Sequence, residues 1–214
     1  MEINSFIYEN LEFKFNDLDI KLTDDNIGKL AVALRTEYPI RREMGKRYFG
    51  INNELRRVFI IDNKSVIMRF DKLNDISEVF NEAGEVANIL ANVLELQHLN
   101  VSSTLELDIE LSTNEESFRD LSVSNLRPEG INIEDFPGEV KGFSSRVIFE
   151  SGDYEYDFSL FPHDNVKKLI YSNSDMELIN DNIKIPNDKN NFIHILQDFR
   201  HVLEGTVKRI IEKW

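Results

Sequence analysis

The sequence predicts an α+β fold, a largely antiparallel sheet built from hairpins and covered by long amphipathic helices. Three observations predict it. Apolar and polar residues alternate with period two in several segments. Those segments are joined by short links rich in Asn, Asp and Gly, which permit only antiparallel neighbours. Between them the apolar period lengthens to about three and a half, the mark of helices with one buried stripe.

In chain order, Leu11, Phe13 and Phe15 alternate with Glu12 and Lys14, Asn16-Asp17 offers a turn, and Leu18, Ile20 and Leu22 alternate with Asp19 and Lys21. This predicts a hairpin over residues 11–22. Thr23 or Asp24 then caps a helix carrying Ile27, Leu30, Ala31, Leu34 and Tyr38 on one face. Pro39 ends it, because the residue before a proline is pushed out of the α region. Residues 40–55 show no clean period and are interrupted by Gly45 and Gly50, so a loop or distorted helix is expected. A second hairpin pairs 57–61 with 65–70 across Asp62-Asn63-Lys64. Asp75 and Glu78 stand at capping-box spacing before a helix over 75–94, whose stripe of Ile76, Val79, Phe80, Ala83, Val86, Ala87, Leu90 and Leu94 is broad enough to cover a sheet.

Leu105, Leu107, Ile109 and Leu111 alternate with Glu106, Asp108 and Glu110 in an amphipathic strand with an acidic outer face. The period fades over 112–142, where Pro128, Gly130, Pro137, Gly138 and Gly142 accumulate among scattered apolar residues. A third hairpin over 143–160 turns at Ser151-Gly152-Asp153. A strand or short helix is expected in 166–171, and a loop over the Asn-rich segment 180–191. A last helix over 191–213 carries Phe192, Leu196, Phe199, Leu203, Val207, Ile210 and Trp214 in its stripe. The expected organisation is an N-terminal α+β lobe (1–120), a packed connection (121–142) and a C-terminal hairpin-plus-helix lobe (143–214) that can form one domain with the first. The order of elements hints at a repeated layout, without residue-level self-similarity.

Composition narrows the function classes. The 214 residues include 41% hydrophobic side chains and 15 phenylalanines, enough for a substantial core. The net charge of −14 disfavours general binding to nucleic acid or anionic membranes, whose phosphates it repels. Cysteine is absent, which removes disulfides, thiolate chemistry and cysteine-ligated metals, and fits a cytoplasmic location. Met1-Glu2-Ile3-Asn4 has neither a basic nor an apolar signal region, so no signal peptide is expected. No apolar run approaches the length of a membrane span.

The charges are unevenly placed. From Arg35 to Arg57 seven basic residues face three acidic ones, a local balance of +4, so the rest of the chain sums to −18. Arg41, Arg42, Lys46, Arg47, Arg56 and Arg57, interleaved with Tyr48, form a candidate partner-binding strip, since guanidinium forks and a ring suit an acidic or phosphate-rich ligand. The same arginines can equally pair with the protein's own carboxylates. Alternate carboxylates on the strands lie about 6.6 Å apart, so Asp108, Glu110, Asp153 and Asp157 form an alternative divalent-metal set. The plainer reading is an outer face kept wet. His98, His163, His194 and His201 lack metal-ligand spacing, and phosphate-binding glycine loops, kinase signatures and a serine-hydrolase elbow are missing. The distal end of the last helix, Ile210 and Trp214, is a candidate oligomer interface.

These features predict a soluble acidic interaction protein that binds a macromolecular partner or self-associates, without cofactor and more in keeping with a binder than an enzyme. Two alternatives follow from the carboxylates: a divalent-metal enzyme, or an inhibitor whose acidic face imitates nucleic acid. The partner is expected to be a protein or a second copy; nucleic acid is admitted only at the basic strip.

Overall fold

The computed structural model describes residues 2–16, 20, 22–45, 47–73, 75–96, 98–112, 118–162, 169–178, 185–186 and 189–213. Its sheet contains β1 (Glu2–Asn16), β2 (Ile40–Met44), β3 (Arg47–Asn52), β4 (Arg57–Ile61), β5 (Val66–Asp71), β6 (His98–Ser112), β7 (Ser145–Ser151), β8 (Tyr154–Pro162) and β9 (Leu169–Leu178). They lie in the order β2-β3-β4-β5-β1-β6-β9-β8-β7, and β10 (Ile185–Pro186) pairs with β6. Every pairing is antiparallel. The α+β class and its hairpin construction are as the patterning predicts. One continuous sheet therefore runs through both lobes, joined at the long β1–β6 pair.

The helices are α1 (Asp24–Ala33), α2 (Ile76–Val93), α3 (Phe118–Asn125) and α4 (Lys189–Ile211). Thr23 caps α1, its hydroxyl accepting from the Asn26 N–H at 3.2 Å. Asp75 caps α2, accepting from Ser77 and Glu78 N–H groups at 2.8 and 3.2 Å; each such cap contributes about 1 kcal/mol. α2 and α4 lie side by side, linked by Lys189 and Glu85 at 2.7 Å. Beneath α4 the Phe192 ring meets Phe13 at 4.9 Å and Phe15 at 5.5 Å. Leu11, Phe13, Phe15, Phe59, Met68, Phe70, Leu105, Leu107 and Phe158 on the sheet, and Leu30, Val79, Phe80, Leu90, Leu196 and Phe199 on the helices, belong to one core. Each large side chain there contributes about 1.5–3 kcal/mol by leaving water. Among the described residues no helix is long and apolar enough to cross a membrane.

Several expectations are corrected. The 11–22 hairpin does not form, because both edges of β1 from Asn10 to Phe15 are already taken, by β5 on one side and β6 on the other. Ile20 is buried off the strand, and its N–H donates to the Asn63 carbonyl at 3.0 Å; Asp17, Leu18, Asp19 and Lys21 lie outside the described residues. The 40–55 segment is not a loop or helix but the β2–β3 hairpin. Its two glycines have structural uses: Gly45 turns the chain at φ +64°, and Gly50 leaves room for Phe59, whose ring a Cβ would meet at 2.0 Å. The final stripe closes on Ile211, 1% exposed, while Ile210 is only partly buried at its edge. Residues 169–178 are strand, and the 180–191 segment contributes β10 and the start of α4.

Candidate functional site

Antiparallel register places directly opposed residues on the same face of a sheet. The face carrying Leu11, Phe13, Met68, Phe59 and Phe158 receives α1, α2 and α4. The opposite face takes the alternate residues of each strand. Two rows of directly paired residues cross it from one edge to the other. The first reads Arg42, Phe49, Ile60, Ile67, Lys14, Ser102, Glu177, Glu155, Glu150. The second reads Ile40, Ile51, Val58, Arg69, Glu12, Thr104, Asp175, Asp157, Ile148. On the β2–β5 side these rows are apolar with a few cations; on the other side the carboxylates gather on β8 and β9 with Glu150 of β7, beside Ser102 and Thr104 of β6 and Ile148 at the edge.

The acidic side places like charges opposite one another. Glu155 faces Glu177, Asp157 faces Asp175, and Glu150 faces Glu155. Direct opposition of like charges costs stability, because the side-chain roots stand only about 5 Å apart. Local contacts offset part of it. The Arg146 guanidinium binds the Asp157 carboxylate in a bidentate pair, with Nε to Oδ1 at 2.8 Å, and its hydrogen bonds and charge hold Asp157 below the usual aspartate range. The Thr104 hydroxyl donates to Asp175, and Ser5 donates to Glu110 at 2.8 Å. Burial and the neighbouring Glu106 push the Tyr171 phenol up to about 12. Glu155 and Glu177 are exposed and stand opposed without a cation between them in the row.

The basic strip does not assemble as one site. Arg41 points to the helix side, where Nη1 donates to the Ala31 carbonyl at 2.6 Å near the end of α1. Arg57 binds Glu82 of α2 with Nε at 2.7 Å and lies over the Phe70 ring at 5.2 Å. Tyr48 is a core residue, 3% exposed. Arg42, Arg47 and Arg56 remain exposed, of which Arg42 and, two residues before Phe49 on β3, Arg47 are on the open face; Lys46 lies outside the described residues. The protein's own groups thus take two of the arginines, a carboxylate binding Arg57 and a backbone carbonyl Arg41.

The alternative metal set is spread out. Asp108 on β6 faces Tyr171, whereas Asp157 on β8 faces Asp175, and β9 lies between them. Asp153 sits in the β7–β8 turn, at the β7 edge of the sheet and away from Asp108 and Glu110, which stand two residues apart on β6. Among the described residues no group of three or more His, Asp or Glu side chains is disposed to hold a metal ion. His194 and His201 are exposed on α4; His163 and the His98 side chain lie outside what is described. Of the proposed interface pair, Ile210 packs at the core margin, and Trp214 is outside the described residues.

Sequence patterning located the acidic faces of β6 and β8 but not Asp175 and Glu177, nor the apolar residues Phe49, Ile51, Val58, Ile60 and Ile67. A signal existed for the latter. Residues 58–61 and 66–68 are continuous apolar runs, not alternating ones, and such runs imply two apolar faces.

No protein-family model matches the chain, and no curated protein is significantly similar to it. Among solved structures it is similar to Methanococcus jannaschii TBP, at 13% sequence identity over 99% of each chain with a TM-score of 0.40.

Proposed function

We propose that this is an interaction protein that binds a basic macromolecular partner, a protein, across the acidic side of its open sheet face. The observation that supports it is the row of directly opposed carboxylates, Glu177, Glu155 and Glu150, with Asp175 facing Asp157 in the next row. Interleaved acids keep a strand wet without being aligned across three strands, and alignment costs folding energy. That cost becomes a gain when lysine or arginine side chains of a partner settle between the rows, because the same repulsion is then relieved on binding. The field of a chain at −14 also speeds the encounter. A divalent-metal enzyme is less well supported, since the carboxylates lie in rows and do not converge.

Titration with a fluorescent oligo-arginine peptide tests the reading. Binding is expected at low salt, weakening steeply as salt rises, and falling at least tenfold in Glu155→Gln/Glu177→Gln. Equal binding by that variant, or tight stoichiometric Mg²⁺ or Mn²⁺ uptake abolished by Asp108→Asn, overturns it.

A second reading is favoured by the rows themselves. On β8 and β9 the carboxylates Glu155, Asp157, Asp175 and Glu177 repeat at about 6.6 Å along the strand and about 4.8 Å between strands, a compact anionic patch. On this reading the partner is one that otherwise binds nucleic acid, and the protein competes with duplex DNA for it.

A further inference from the structure

The apolar side of the open face has no part in that charge-based reading, yet it is the less ordinary surface. Phe49, Ile60 and Ile67 are opposed in one row and Ile51 and Val58 in the next, so they form one patch across β3, β4 and β5. None of the five is fully buried, and α1, α2 and α4 lie behind the sheet. Arg42 and Ile40 border the patch on β2. Arg69 on β5 closes the second row, and Lys14 and Glu12 on β1 separate the patch from the carboxylates.

Resting on the reading above, we infer that this patch seats the same basic protein partner, which therefore presents an apolar surface beside a cationic one. Charge and distance select that occupant. From Phe49 on β3 to Glu155 on β8 the row crosses six strand spacings, about 29 Å, the width of a small domain. A single short helix covers one end of the row and not the other. A second copy of this chain fits poorly. Stacking two open faces about a two-fold axis parallel to the strands sets carboxylates on the apolar patch; an axis across the strands sets carboxylates on carboxylates. Nucleic acid meets the acidic side with like charge. A cationic protein surface with an apolar centre meets both sides of the face favourably.

The test uses the full chain and two fluorescent peptides of about 14 residues, long enough to span the row when extended. One joins a leucine-rich end through a Gly-Ser spacer to an arginine-rich end; in the other the leucines are serines. The leucine-bearing peptide is expected to bind about tenfold tighter at physiological salt, an advantage removed by Val58→Thr/Ile60→Thr and retained in Glu155→Gln/Glu177→Gln, where both peptides weaken together. Val58→Thr is isosteric and Ile60→Thr keeps the β-branch, and melting confirms that the variant is folded. Equal binding of the two peptides overturns this inference and leaves the charge-based reading standing. Binding of neither overturns both. A concentration-dependent dimer that Val58→Thr/Ile60→Thr converts to monomer makes a second copy the occupant, and tighter binding of duplex DNA than of either peptide makes it nucleic acid; each overturns the inference.

Discussion

The chain from β1 to α2 and the chain from β6 to α4 follow the same plan. Each begins with a 15-residue strand at the centre of the sheet, passes through a short helix, lays strands outward-in back to that central strand, and ends in a long helix on the same face. β5 flanks β1 as β9 flanks β6, and β4 and β8 come next on either side. The helix-side core is apolar in both halves; the open face is where their chemistry differs most. In the first half the open face of β3–β5 is apolar except for Arg47 of β3 and the Arg69–Asp71 pair of β5, whereas in the second the open face of β8 and β9 carries opposed carboxylates and even the helix side of β9 carries Ser172 and Ser174, buried and within 3.3 Å of each other. A backbone plan that tolerates both is set by the pairing and the helix-side core, which leaves the open face free to diverge.

The largest effect should come from the tight side of that comparison. In the first half Gly50 faces Phe59, and in the second Val147 faces Phe158. Phe59 lies over the vacant Cβ position and is enclosed by Tyr38 at 4.7 Å and Tyr48 at 5.8 Å. Gly50→Val is expected to destabilise the protein by about 3 kcal/mol, while Val147→Ala, at a position 41% exposed, changes stability by less than about 1 kcal/mol. Chemical denaturation measures both, and equal costs would dissolve the contrast.

Next is the ion pair of β4 with α2. Arg57 and Glu82 side chains are 12% and 22% exposed, so Arg57→Ala strands a largely buried carboxylate and also removes the contact with Phe70. A loss of about 2–3 kcal/mol is expected. Arg57→Met, which leaves Glu82 stranded but refills the volume, should recover only part of it.

The second half is tied down differently. The Tyr8 hydroxyl donates to Glu204 and accepts from Arg200 Nε at 2.9 Å, fastening α4 to β1. Tyr8→Phe is expected to cost about 1–2 kcal/mol. The pH dependence has a definite sign. Burial raises the Glu204 carboxyl, but the bonds from Tyr8 and Arg200 and the charges of Arg200 and Lys208 outweigh it and hold Glu204 below its ordinary 4.5. The stability linked to this group is therefore present above pH 4.5 and is lost as pH falls through the lower folded-state value. Tyr8→Phe should flatten that acid limb in melts between pH 5 and 3, and an unchanged limb would assign it to other carboxylates.

The smallest effect is opposite in sign. Glu177→Gln removes one of two exposed opposed charges and should stabilise the protein by about 0.3 kcal/mol at low salt, a gain that fades at 1 M salt. The matching change in the first half, Lys14→Gln, has no opposed like charge to relieve and should show no gain. If Glu177→Gln destabilises instead, the carboxylates are held by contacts within the fold and not kept for a partner.

What the sequence determined by itself was whatever neighbours along the chain decide. The caps at Thr23 and Asp75, the stripes of α2 and α4, the turns of the β4–β5 and β7–β8 hairpins and the apolar face of β6 depend on residues within a turn or two of each other, and periodicity records them directly; the opposite face of β6 is wet only in part, since Asp108 is buried. Tertiary structure decided which strands meet. Nothing local tells β1 that its neighbours are residues 66–71 and 100–112, so the 11–22 hairpin looked complete until both edges were occupied. Gly50 reads as an interruption unless Phe59 is known to lie across it. Arg41 and Arg57 look like free cations until Ala31 and Glu82 arrive from α1 and α2. The candidate site is of the same kind: Glu150, Glu155 and Glu177 are ordinary outward residues of three strands, and only the register, set by burial on the other face, brings them into line.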